Sequence, residues 1–253
     1  MNGQGTGNDG GTSDSRGASE PDYGDTWVYE SIVSALPGIE LSNRAAVALQ
    51  LGLFQVGLLL LAAVYDVWSA ALAGTAAVVV AAGGSVLMLR LGTLVRSVSV
   101  SSSYRRMLFG SSVEVVLSVL AFIALVTYLF VVDPRQSSTP LLSELFGEEP
   151  PMVTIYFALL VLWDLCYRIG TSWWIAVVSL WRTVRHPADA ETAATLRRAD
   201  RLNVGFAVLQ LLLIPFVRSH PSLIVALTGH VLAVTVVSGL SYLIAGRSGT
   251  SSI

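Results

Sequence analysis

Long uncharged apolar blocks alternate with short charged segments along this chain, and the lengths of the blocks decide the architecture. Ala45 to Tyr65 and Ser69 to Leu89 each run for 21 residues without a charge, enough to cross about 30 Å of hydrocarbon at about 1.5 Å per residue. Between them Asp66, Val67 and Trp68 leave room only for a tight turn, so the two helices run antiparallel. Glu114 to Val132 and Leu223 to Ala245 give a third and a sixth crossing, each with at most one ionisable residue. Met152 to Trp181 spans 30 residues with Asp164 and Arg168 in its middle. That is too short for two crossings and long for one, so it predicts a single tilted helix that protrudes on the cytoplasmic side. Val204 to Val217 has only 14 residues and contains Pro215, a length that also suits a re-entrant segment. Good helix formers from Pro187 to Leu202 let this helix begin well before the membrane. The predicted fold class is all-α: a bundle of six transmembrane helices, about 45–65, 69–89, 114–132, 152–181, 204–217 and 223–245, in a membrane domain of residues 45–247. Three helices on each side of a central outer loop permit an inverted repeat, but the two halves share no sequence pattern.

The flanks read differently. Residues 1–25 are rich in Gly, Ser, Thr, Asn and Asp and nearly devoid of apolar side chains, so they bury too little to offset ordering entropy and form a disordered acidic tail. They lack a basic region followed by an apolar core, so the first transmembrane helix is expected to serve as its own insertion signal. Gly3, Gly5 and Gly7 follow no strand and precede no Gly-Lys-Ser/Thr, which excludes a phosphate loop. In residues 26–44, Trp27, Val28, Ile32, Val33, Leu36 and Ile39 recur at helical spacing up to a break near Pro37, predicting an interfacial amphipathic segment or a loop packed on the bundle. Residues 248–253 form a short C-terminal tail.

Composition places the chain in lipid: 53% of residues are hydrophobic and 13% charged, against about 25% charged in soluble domains. Every one of the 15 basic residues is arginine. Arg90, Arg96, Arg105 and Arg106 follow the second helix, and Arg182, Arg185, Arg197, Arg198 and Arg201 follow the fourth. With Arg44 and Arg247 this makes 11 arginines on one side against Arg135 and Arg218 on the other, predicting that both termini are cytoplasmic. The opposite face carries the acidic loop 133–151 with Glu144, Glu148 and Glu149. The basic loops sit beside transmembrane ends, so topology and anionic lipid account for them without nucleic acid. Lysine-free, arginine-only usage, the acidic Gly/Ser/Thr/Asp-rich tail and the run WDLCYRIG from Trp163 to Gly170 resemble the uncharacterised multi-pass membrane proteins of haloarchaea. The resemblance implies the plasma membrane.

Candidate chemistry concentrates on Asp164 and Arg168, because a charge near the bilayer centre costs roughly 2.5 to 3.5 kcal/mol even on lenient scales. Four residues apart, they share a helix face and can pair. Depth counting places Asp164 ~18 Å below the outer edge, level with Gln55, and Arg168 in the cytoplasmic third with Gln50, Glu114 and Gln210. These residues form the expected buried polar layer, either a solute or proton path or a device that fixes helix register; the second is preferred because an ion pair plus amides satisfies itself. His230, ~10 Å below the outer edge, is a candidate proton carrier, though a lone intramembrane histidine more often hydrogen-bonds within the packing. Ala70, Gly74, Ala77, Ala81 and Gly84 form a stripe of small residues suited to close helix packing, internal in preference to an oligomer face. Trp173, Trp174, Trp181 and Tyr128 suit interfacial anchoring. The one cysteine, Cys166, permits no disulfide and reads as a packing residue. His186, His220 and His230 have no metal-ligand spacing, so neither a metal nor a cofactor is expected.

No nucleophile–base pair, catalytic carboxylate pair or His-Glu-x-x-His is present, so no enzymatic activity is expected. The preferred expectation is a structural, accessory or regulatory membrane component in contact with the bilayer and with a membrane or cytoplasmic partner or a second copy. The alternative is a small solute permease or ion/proton-coupled transporter using Asp164 and Arg168.

Overall fold

Residues 43–186 and 188–248 are described by a computed structural model, and among them every regular element is helical. The expected acidic tail, the interfacial segment up to residue 42 and residues 249–253 lie outside the described residues. The elements are α1 (Asn43–Tyr65), α2 (Trp68–Arg96), α3 (Ser102–Phe109), α4 (Val113–Thr127), a π-helical turn (Tyr128–Val132), α5 (Asp133–Gln136), α6 (Leu141–Phe146), α7 (Met152–Arg185), α8 (Ala190–Leu209), a 3-10 stretch (Gln210–Phe216) and α9 (Pro221–Ser248). Six helical segments are long and apolar enough to cross a membrane: Val47–Tyr65, Trp68–Arg96, Ser102–Gln136, Met152–Arg185, Ala190–Phe216 and Pro221–Gly246.

Local chemistry explains the boundaries. α1 turns into α2 at Asp66, the one non-glycine residue with positive φ among the described residues, at 56°. The Val67 amide there returns to the Ala62 carbonyl at 3.3 Å, a left-handed helix stop that a short polar side chain tolerates. α3 starts on Ser101, whose hydroxyl accepts from the Tyr104 amide at 3.3 Å. α8 starts on Asp189, whose carboxylate accepts from the amides of Glu191 at 3.1 Å and Thr192 at 2.9 Å. Those bonds, that from Thr192 foremost, hold the Asp189 carboxyl below its usual range. The two irregular turns each sit next to a proline. Pro134 has no amide to offer the carbonyl four residues back, and the Asp133 amide reaches Tyr128 instead, widening the turn. Pro215 lies within the tightened 3-10 stretch.

The fifth crossing begins well before its apolar block of 204–217, as the helix formers after Pro187 predict. It starts at Ala190, so its 27 residues include Glu191, Arg197, Arg198, Asp200 and Arg201. Its apolar part is short because its first half is solvated or paired on polar faces, and no re-entrant turn is needed.

α7 is the hub, packing against α1, α2, α3, α4, α8 and α9. α1 lies mainly on α2, whereas α4 and α9 flank α7 without packing closely on each other. The densest apolar core fills the end bearing the arginine-rich connections, here the basic end. Met88, Leu91 and Val95 of α2 meet Tyr104 and Leu108 of α3 and Ile175 and Val178 of α7 there. Outward-facing Leu53, Leu60, Val64, Leu120, Ile123, Val225, Leu232 and Leu243 are exposed and suit a hydrocarbon surround.

Candidate functional site

Three polar constellations are built between the helices. In the first, Arg168 and Asp164 pair at 3.1 Å across one turn of α7, their side chains 0% and 17% exposed. Gln50 of α1 donates to the other Asp164 oxygen at 2.9 Å, and Met88 of α2 lies 3.0 Å from the Arg168 guanidinium. Gly84 makes room for this arginine. A Cβ at Gly84 would stand 2.7 Å from the Arg168 Cβ and 2.8 Å from its Cγ. The space beside Asp164, between α1 and α2, amounts to about 10 Å³, at the lower limit for one water.

The rest of the expected layer is dispersed. Gln55, expected beside Asp164, donates instead to Thr75 at 3.0 Å. Glu114 and Gln210 are fully buried, but among the described residues neither the Glu114 carboxylate oxygens nor the Gln210 amide atoms have a hydrogen-bond partner. Depth alone put these residues beside Arg168, and no hydrogen bond joins either of them to it. The stripe Ala70, Gly74, Ala77, Ala81 and Gly84 faces inward: Gly74 abuts Leu58 of α1, and Gly84 abuts Arg168 and Phe206 of α8. Cys166 is buried and free.

The second constellation binds α7, α8 and α9 toward the basic end. Ser172 donates to Asn203 at 2.8 Å, and the Asn203 amide returns to the Ser172 carbonyl at 3.0 Å and to Ser238 at 3.1 Å. One turn nearer that end, Arg182 lies 3.7 Å from Asp200, and Ser241 donates to Asp200 at 2.9 Å. Thr183 and Ser241 hydroxyls meet at 2.9 Å, and the Arg182 guanidinium stacks over the Tyr104 ring at 5.2 Å. The pairs 200/203 and 238/241 recur at three-residue spacing, the mark of one helix face. That spacing was readable, but Asp200 and Asn203 stand in a polar run and draw no attention there. Arg182, counted among the topology-setting arginines, is instead buried in this network.

The third lies at the opposite, acidic end. Buried Asp133 accepts from the Leu141 amide at 2.6 Å, from Ser137 and, at 3.4 Å, from Tyr128, while His220 Nε2 lies 3.3 Å away. Asp133 thereby fixes the first amide of α6, and Ser69 of α2 fixes its far end by donating to the Leu145 carbonyl at 2.8 Å. Held at both ends, α6 roofs an apolar chamber of about 540 Å³ lined by α1, α2, α4, α7, the 3-10 stretch and α9. His230 lines this chamber. Contrary to the expectation of a hydrogen-bonded packing residue, its Nε2 has no partner among the described residues.

No cluster of three or more His, Cys, Asp or Glu side chains able to hold a metal occurs among the described residues. No curated protein and no solved structure matches the chain. Residues 22–241, most of the chain, match one protein family, and the chain therefore belongs to that family of unknown function, DUF7530.

Proposed function

We propose that this integral membrane protein is a structural or accessory component of the plasma membrane, without a catalytic step, its basic end and both termini facing the cytoplasm. The carrying observation is the close packing about Asp164 and Arg168: with about 10 Å³ beside the carboxylate, there is no space for a file of water or a solute. The pair, Gln50 and Met88 bind one another, which suits a register lock between α1, α2 and α7. Exposed Arg90, Arg106, Arg185, Arg198 and Arg201 give the basic end a surface for anionic lipid or an acidic protein partner. The haloarchaeal resemblance of the arginine-only composition fits the same membrane.

Affinity purification of the full chain from its native membrane in mild detergent tests this reading. A stoichiometric partner is expected, lost when Arg185, Arg198 and Arg201 are replaced by serine while the melting temperature holds. Proton or ion flux through proteoliposomes that Asp164→Asn alters at unchanged melting temperature would overturn the proposal in favour of a transporter.

A further inference from the structure

From the chamber beneath α6 we infer a binding site for an uncharged, membrane-dissolved molecule with a long hydrocarbon body and one hydrogen-bonding oxygen, held by His230. The volume, about 540 Å³, falls within the range of small-molecule sites. The chamber borders the dense core, sharing Ala77, Val161 and Leu165 with it, and lies between Leu58 and Phe157 on one side and Leu213 and Leu223 on the other. Its roof is amphipathic: Leu141, Leu142, Leu145 and Phe146 turn inward, whereas Glu144 is exposed. The roof is fixed by Asp133 and Ser69, so access from water on that side is closed.

Access from lipid is open. α4 and α9 do not pack closely on each other, and Ala124 of α4 and Ala226 of α9 both line the chamber and are exposed. Two alanines at a gap between helices admit a single chain from the surrounding hydrocarbon. A second protein could cover this opening but not fill a space that reaches inward to Leu165 and His230.

The requirement for an oxygen follows from the solvent. A plain alkane gains nothing from apolar burial when it moves from lipid into an equally apolar chamber. A hydroxyl or carbonyl dissolved in hydrocarbon lacks a partner, and so does the His230 Nε2. Nε2 itself is covered, but the His230 ring lines the chamber, and a turn of the ring brings the two together and satisfies both. Of the other polar residues in the lining, Thr154 gives its hydrogen to the Pro151 carbonyl at 2.7 Å, and Tyr128 lies within reach of both Asp133 and Ser222, which leaves His230, with its partnerless nitrogen, as the selecting group.

The full-length protein in phosphatidylcholine nanodiscs, irradiated with hexadecanol carrying a mid-chain diazirine, tests the site, with adducts mapped by peptide mass spectrometry. Labelling should saturate with mole fraction, fall on chamber residues such as Leu129, Phe157 and Leu223, and be competed by unlabelled hexadecanol but not by hexadecane. His230→Leu, which leaves no buried polar atom behind, should raise the half-saturating mole fraction about tenfold, the loss of one hydrogen bond, at an unchanged melting temperature. Ala226→Phe, at an exposed position, should slow labelling. Unsaturable labelling on lipid-facing Leu60, Leu120 and Val225, equal competition by hexadecane, or the same half-saturation in His230→Leu would each overturn the inference.

Discussion

Arg168 is wholly withdrawn from solvent and keeps its charge in company because Asp164, one turn earlier on α7, shares its face. Removing one partner of such a pair strands the other, at a cost of about 3–5 kcal/mol, whereas replacing both with apolar residues of similar volume is often neutral or better. Asp164→Asn should therefore lower the melting temperature in detergent sharply, and Asp164→Leu with Arg168→Met should recover most of the loss. Equal melting of all three proteins would remove the pair from any structural role. This pair was legible in the sequence because two charges interrupt an apolar run. Asp200 and Asn203 were not, because their neighbours Arg197, Arg198 and Arg201 are also polar and only the folded azimuth tells paired from solvated groups. Asp189 is a smaller case with a definite sign. Its hydrogen bonds to the α8 amides depress its folded pKa, so its contribution is complete above the unfolded carboxyl value near ~3.9 and is lost as pH falls through the folded value. Protection of the Glu191 and Thr192 amides against hydrogen exchange, corrected for intrinsic rates, should stay level above that range and fall below it. Asp189→Ala should be unprotected throughout.

Contacts between the helices rest on a few positions where no side chain fits. A Cβ on Gly170 of α7 would meet the Ser118 hydroxyl, and also the Ser118 amide nitrogen at 3.0 Å and Cα at 3.1 Å. Backbone cannot swing aside as a leucine tip can, so Gly170→Ala forces α4 and α7 apart. The expected cost is about 1–3 kcal/mol, the usual range for overpacking. Gly205, four residues before the last residue of α8, has nothing within 4 Å of its would-be Cβ, and Gly205→Ala should stabilise by about 0.5–1 kcal/mol through the unfolded chain and helix propensity. Melting curves of the two variants must move in opposite directions for this view of the helix contacts to stand. Apolar block length revealed that these helices exist but not where they end: α2 continues to Arg96, and the start of α8 at Ala190 was signalled by helix formers and not by hydropathy. Hydropathy ends where charge begins, and a helix does not: it continues until a cap or a proline stops it.

The molecule as a whole has a dense basic end and an acidic end that is hollow beneath α6. Counting blocks recovers the six crossings, because each needs its own length of hydrocarbon, but no local pattern announces a chamber, which arises from residues drawn from every crossing. Orientation rests on the arginines that remain at the flanks once burial is known. Arg182, one of the eleven, is internal, so it drops out of the comparison. Exposed Arg90, Arg106, Arg185, Arg198 and Arg201 remain at one end, and exposed Arg135 and Arg218 at the other. The imbalance survives the correction, and charges retained at the flanks are the ones that set topology. Because Cys166 is the single cysteine and is buried, the unmodified chain should resist a membrane-impermeant maleimide and supply a silent background. Ser138→Cys, in the exposed loop before α6, should then label in intact cells, whereas Ser99→Cys, in the exposed connection between α2 and α3, should label only after the membrane is permeabilised. The reverse pattern would turn the bundle over and bring the α6 roof to the cytoplasmic side. Labelling of both sites in intact cells would mean that the crossing Ser102–Gln136, the one spanning segment between the two positions, does not cross the membrane.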